Sequence, residues 1–127
     1  MKKSGILHAE LNAALSRLGH GHLVFVVDPA MPIPRGVDVV DLAVVHGLPR
    51  MTDVLDALLR ELAIEDSIAA FEAAVTPVAT WLRERGLDSE LVPHERLKQI
   101  LPHAALVVRT GETTPYANVA LRCGVSF

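Results

Sequence analysis

The chain has 127 residues, half of them hydrophobic, with 4% aromatic and 21% charged residues, a formal charge of −3 and one cysteine. That length makes one domain, residues 1–127, with room for a real core. The mild acidity lacks the basic footprint of a nucleic-acid binder. Apolar runs of about six residues fall far short of the roughly 20 needed to cross a bilayer. The lone Cys123 excludes an internal disulfide and fits a reducing cytoplasm.

Lys2 and Lys3 precede no apolar segment, which speaks against a signal peptide. Leu7, Leu11, Ala14, Leu15 and Leu18 recur at helical spacing, so the pattern predicts an amphipathic helix over His8–Leu18, with Gly19 as its left-handed cap. Leu23–Asp28 reads as a strand covered on both faces and ended by an acid. A loop stiffened by Pro29, Pro32 and Pro34 leads to a second strand over Val39–Val45, interrupted by Asp41. Gly47 and Pro49 break the chain, and a helix opens at Arg50 or Thr52 and runs to about Ala63. Ser67–Phe71 is read as a short strand. Thr76-Pro77 starts a helix that ends at Arg85 before Gly86. Glu90–Val92 forms a strand, Pro93 to Leu101 a short helix, and Ala105–Arg109 another strand. The polar loop TGETTPYA then leads into a last strand over Asn118–Arg122. Six short strands and four helices in rough alternation predict an α/β domain, a mostly parallel sheet with helices on both faces.

Several chemistries lack their residues. No Gly-rich turn of dinucleotide or P-loop type follows a strand, so no nucleotide cofactor is expected. His20-Gly21-His22 has chelating spacing, but no cysteine pair or HExxH accompanies it, and no metal is expected. No serine sits in a GxSxG elbow. Proton transfer remains, and histidine is the side chain suited to it near neutral pH. His20, after a glycine in an exposed turn, reads either as a cap on the preceding helix or as an acid/base group. Asp28 reads either as a turn-former before Pro29 or as a site acid. His94 reads most simply as a first-turn helix residue, and Tyr116 and Asn118 as turn and strand residues. The hydroxyl- and amide-rich loop Thr110–Ala117 suits hydrogen bonding to a neutral polar ligand such as a sugar. His20 and Asp28 lie at opposite ends of one strand, which at six residues spans roughly 20 Å. A shared pocket therefore requires a turn that folds His20 back, or a second subunit.

The start MKKSGILH, the helix-turn SRLGH, the PIP loop followed by DLA and GLP, the segment HERLKQ and the ending RTGETTPYANVALRCGVSF resemble the D-ribose pyranase family, whose broader group includes the fucose mutarotases. The resemblance runs from end to end. It implies a three-layer α/β/α fold with a six-stranded mixed sheet, and a ring-shaped homo-oligomer, typically a decamer, with sites at subunit boundaries. It implies interconversion of β-D-ribopyranose and β-D-ribofuranose without a cofactor. Carried over by position, His20 corresponds to the proton donor, Asp28 and His94 to substrate-contacting residues, and Tyr116, Ala117 and Asn118 to the sugar-binding segment. A mutarotase for another sugar such as L-fucose, or a non-catalytic sugar-binding protein on the same fold, are the alternatives. Two departures touch the site. His22 stands where the family commonly has Asp, and Asp28-Pro29-Ala30 where it commonly reads Asp-Ala-Gly.

Overall fold

A computed structural model describes residues 1–127. Its sheet has six strands: β1 Leu23–Val27, β2 Val39–Asp41, β3 Ile64–Ala70, β4 Glu90–Val92, β5 Leu106–Arg109 and β6 Val119–Cys123. They lie in the order β2-β5-β1-β6-β3-β4. Pairings β1–β5, β2–β5 and β3–β4 are parallel, and β6 alone runs against its neighbours β1 and β3. The mostly parallel mixed sheet expected from the sequence is therefore present. No helix is long and apolar enough to cross a membrane.

Strand periodicity explains the layers, because successive side chains point to opposite faces. Val24 and Val26 of β1 join Val108 of β5 and Val119 and Leu121 of β6 in one core. Helices α1 (Ala9–Leu15), α2 (Met51–Leu59) and α3 (Val78–Glu84) cover that face with Leu11, Leu15, Leu55, Leu58, Val78 and Leu82. The alternate residues Phe25, Val27, Val107 and Ala120 form a second core on the other face. There α4 (His94–Ile100) supplies Leu97, a following 3₁₀ turn supplies Leu101, and the Pro-rich loop supplies Met31. This is the expected three-layer arrangement.

Several boundaries differ from expectation for local reasons. Helix α1 ends at Leu15, because Arg17 and Leu18 turn tightly onto Ala14 and Leu15 through i→i+3 bonds. The residue with left-handed backbone after it is Gly21, φ +84°, and not Gly19. Strand β2 stops at Asp41, whose Oδ1 accepts the Ala43 N–H at 3.0 Å, an Asx turn that diverts the chain and leaves Val44 and Val45 exposed. Strand β3 begins at Ile64, three residues before the expected Ser67, since Ile64 pairs with Cys123 across an irregularity that its polar neighbours Glu65 and Asp66 conceal. It ends at Ala70, and Phe71 opens a 3₁₀ turn rather than closing the strand. Strand β6 spans Val119–Cys123, one residue later than Asn118–Arg122. Gly86 behaves as expected: at φ +73° it closes α3, with Leu87 N–H reaching the Leu82 carbonyl.

Candidate functional site

In parallel sheets the carboxyl ends of the strands form the natural ligand crevice. Here β1 delivers Asp28 to that end, β4 delivers His94, and antiparallel β6 brings its amino end, Tyr116 to Asn118, to the same place. Five of the six residues expected at the site therefore meet at one end of the sheet.

Asp28 and Asn118 form a locked couple. The Asp28 N–H donates to Asn118 Oδ1 at 2.9 Å, and Asn118 Nδ2 donates to Asp28 Oδ2 at 3.1 Å. This reciprocity fixes which end of the amide is oxygen, because a backbone N–H needs an acceptor and a carboxylate needs a donor. Asp28 Oδ1 accepts the N–H groups of Ala30 and Met31, both at 2.9 Å. Asp28 thus plays its turn-forming part and is simultaneously immobilised. A carboxylate has about four acceptor positions, three are filled, and Oδ2 keeps one for a ligand hydroxyl. Asn118 is fully buried and its amide is engaged with Asp28, so it aims the acid more than it offers itself.

His94 and Tyr116 form a second couple. Tyr116 has left-handed backbone, φ +62°, unusual for a non-glycine residue. The Asn118 N–H donates to the Tyr116 carbonyl at 2.9 Å and closes this turn. The turn sets the Tyr116 ring edge-on to the His94 ring, with centroids 5.2 Å apart and planes at 77°, a favoured aromatic geometry. The His94 main-chain N–H donates to both carboxylate oxygens of Glu72, at 3.0 and 3.1 Å, which anchors the start of α4. His94 Nδ1 is buried without a partner. The His94 ring therefore keeps its hydrogen-bonding capacity for a group outside this chain. Ala117 is buried in the core and can offer only its main chain.

His20 is elsewhere. Its turn precedes β1, and the five residues of β1 separate it from Asp28 by roughly 17 Å of strand rise. The turn is fastened to the far end of β6: Gly21 N–H donates to the Cys123 carbonyl at 2.8 Å, and Cys123 N–H to that of His22 at 2.9 Å. The exposed His20 ring does not cap the preceding helix. Its Nε2 lies 3.1 Å from Glu65 Oε2. His22 takes the acceptor role an aspartate could fill, since its Nδ1 accepts the Gly19 N–H at 2.9 Å. Within one chain, then, His20 is not folded back toward the other five residues.

Sequence reasoning missed Glu65 and Glu72. Glu72 carries no motif. Glu65 reads as one more surface acid until the strand irregularity beside it is seen. Arg109 was also unremarked. It reaches Asp41 at 3.0 Å and the Pro29 carbonyl at 3.2 Å, tying the residue after Asp28 to β5. No group of three or more His, Cys, Asp or Glu side chains is arranged to hold a metal ion.

Residues 1–126 match the sequence model of the RbsD / FucU transport protein family. The chain is 50% identical to a D-ribose pyranase of Cutibacterium acnes and 54% identical to one of Streptomyces avermitilis, covering all of each chain. Bacillus subtilis RbsD complexed with D-ribose superposes with a TM-score of 0.94 at 39% identity, over the full length of both chains. A fucose mutarotase from Streptococcus pneumoniae in complex with L-fucose, 20% identical, shares the fold with a TM-score of 0.80 over 95% of each chain.

Proposed function

The chain belongs to the RbsD / FucU family, and from that membership we propose that it is a cofactor-independent isomerase interconverting β-D-ribopyranose and β-D-ribofuranose. The observation that carries the reading is the pair of couples at one end of the sheet. Asp28, aimed by Asn118, supplies a fixed acceptor, and His94, stacked edge-to-face with Tyr116, supplies a fixed imidazole. A carboxylate and an imidazole held in this way can orient the hydroxyls of a neutral sugar.

The reaction needs only protons. An acid protonates the pyranose ring oxygen while a base takes the proton of the anomeric hydroxyl. The bond from C1 to the ring oxygen breaks, leaving an open aldehyde. The C4 hydroxyl then adds to C1, loses its proton, and the C1 oxygen regains one, giving the furanose. No net proton is gained or lost. A positioned acid or base contributes roughly 10²- to 10⁴-fold to each step. His20 is the acid in this reading. Because His20 lies at the opposite end of the sheet, it serves the Asp28 and His94 cluster of another copy. The protein therefore works as a homo-oligomer with sites between subunits. The end-to-end family resemblance supports a ring of ten, and the single buried thiol supports a cytoplasmic setting.

Saturation-transfer NMR on D-ribose tests the reading. Transfer between pyranose and furanose signals is expected, and His20→Ala should abolish it while retaining most ribose binding. Exchange confined to the anomers of a six-membered ring would indicate a mutarotase, binding without exchange a sugar-binding protein, and full activity of His20→Ala a different proton donor.

A further inference from the structure

We propose that Glu65 is the positioning residue of His20, holding Nε2–H so that the proton given to the sugar leaves from Nδ1. The inference rests on His20 being the proton donor and deepens that reading. It begins with β3. Ile64 pairs with Cys123 and Asp66 with Arg122, consecutive residues of β6, so Glu65 is an extra residue with no partner in the ladder. Such a bulge re-aims a side chain. Asp66 keeps its cross-strand place and bonds Arg122 at 3.1 Å, while Glu65 is turned toward the Gly19–His22 turn. Gly124 follows β6 beside it, and a Cβ there would lie 3.3 Å from Glu65 Cβ, so the bulge leaves no slack.

The turn is as constrained as the acid. Gly21 at φ +84° and its bond to Cys123 fix the main chain just after His20, and the Gly19 N–H bond to His22 Nδ1 ties down the residue before it. His22 Nδ1 accepts the Gly19 N–H, and the Glu65 carboxylate is bonded by His20 instead. The other charged groups nearby are committed: Asp66 to Arg122, and Glu61 Oε1 to the Ile6 N–H. The only side chain within bonding distance of the Glu65 carboxylate is His20, at 3.1 Å.

A carboxylate only accepts hydrogen bonds, so His20 Nε2 must carry its proton in both charge states. The charged imidazole therefore presents Nδ1–H outward as its transferable proton. After transfer Nδ1 holds the lone pair, Nε2–H stays with Glu65, and Glu65 itself gains no proton. The acid acts by holding the ring in one orientation, the role a carboxylate partner plays for many working histidines.

The test compares Glu65→Ala with Glu65→Asp. Two readouts are taken: ribose exchange kinetics, and the three-bond couplings that report the His20 χ1 rotamer. Wild type should show one rotamer. Glu65→Ala should show averaged couplings, a fall in kcat of about ten- to a hundredfold, and little change in KM. Glu65→Asp should recover much of both. The inference is overturned if Glu65→Ala keeps wild-type kcat. It is equally overturned if its kcat falls only in parallel with its denaturation midpoint while the rotamer stays fixed. If wild type itself shows no exchange, the isomerase reading fails, and the couplings alone decide whether Glu65 holds His20.

Discussion

Replacing Asn118 with Ala strikes the joint that aims the site's acid. Asn118 has no solvent exposure, and both ends of its amide bond Asp28. Truncation removes one neutral hydrogen bond, worth about 1 kcal/mol, and one to a charged group, worth about 1.5–3 kcal/mol. It also leaves the Asp28 N–H without its acceptor. The expected loss is about 3–4 kcal/mol. In a domain of this size each kcal/mol moves the melting temperature by roughly 3–5 °C, so a fall of roughly 10–15 °C follows. Urea and thermal denaturation at fixed protein concentration measure it, because any self-association makes apparent stability depend on concentration. Asn118→Asp makes a sharper control. It keeps the acceptor for the Asp28 N–H but sets two carboxylates face to face. At neutral pH their repulsion makes this variant the less stable of the two. Acidification protonates one carboxyl and restores a hydrogen bond, so its deficit relative to wild type shrinks as pH falls. A loss below about 1 kcal/mol for Asn118→Ala, or an Asn118→Asp variant as stable as wild type at neutral pH, would refute the couple.

Gly111 is buried where an added Cβ would collide with the main-chain carbonyls of Leu48 and Val45, neither of which can rotate away. Gly111→Ala should therefore cost about 3 kcal/mol, read as a fall of roughly 10 °C in melting temperature. An unchanged melting temperature would mean that the Val45–Leu48 turn does not pack there. Burial, and then the nearby charge of Glu65, raises the Cys123 thiol above its ordinary range. Since the thiolate is the nucleophile, iodoacetamide at neutral pH should label the folded protein at least about tenfold more slowly than the urea-unfolded chain. Equal rates would place the thiol outside the core.

The layers were legible because the continuous apolar run Leu23–Val27 demands cover on both faces and the helical spacing in Val54–Leu58 demands one partner face, and the structure supplies them. Glu90–Val92 was found to the residue, since Pro93 and the preceding polar turn leave no other extent. Two of the misplaced ends are decided by a side chain or a bulge, and periodicity carries no record of either. Asp41 ends β2 by bonding the Ala43 N–H, and Glu65 hides the start of β3 by standing outside the ladder. The site shows the same division. Asp28 was visible as an acid ending an apolar run. Asn118 was named as well, but its bond to Asp28 was not legible, because 90 positions separate the two and only the antiparallel entry of β6 brings them together. His20 drew attention as a histidine in a glycine-flanked turn, whereas its pairing with Glu65 depends on where two strands run out of register.

The central claim is that ring opening uses His20 from one copy and the Asp28 and His94 cluster from another. Subunit complementation tests it most directly. His20→Ala and His94→Ala proteins, each inactive alone, are mixed, unfolded and reassembled, with mixed oligomers confirmed by native mass spectrometry. Random assembly places an intact His20 beside an intact His94 cluster at roughly a quarter of the sites, because the two halves come from different copies. Ribose exchange should return to roughly that fraction of wild type. Mixed oligomers without recovered exchange would contradict the claim and place both groups in one subunit's site.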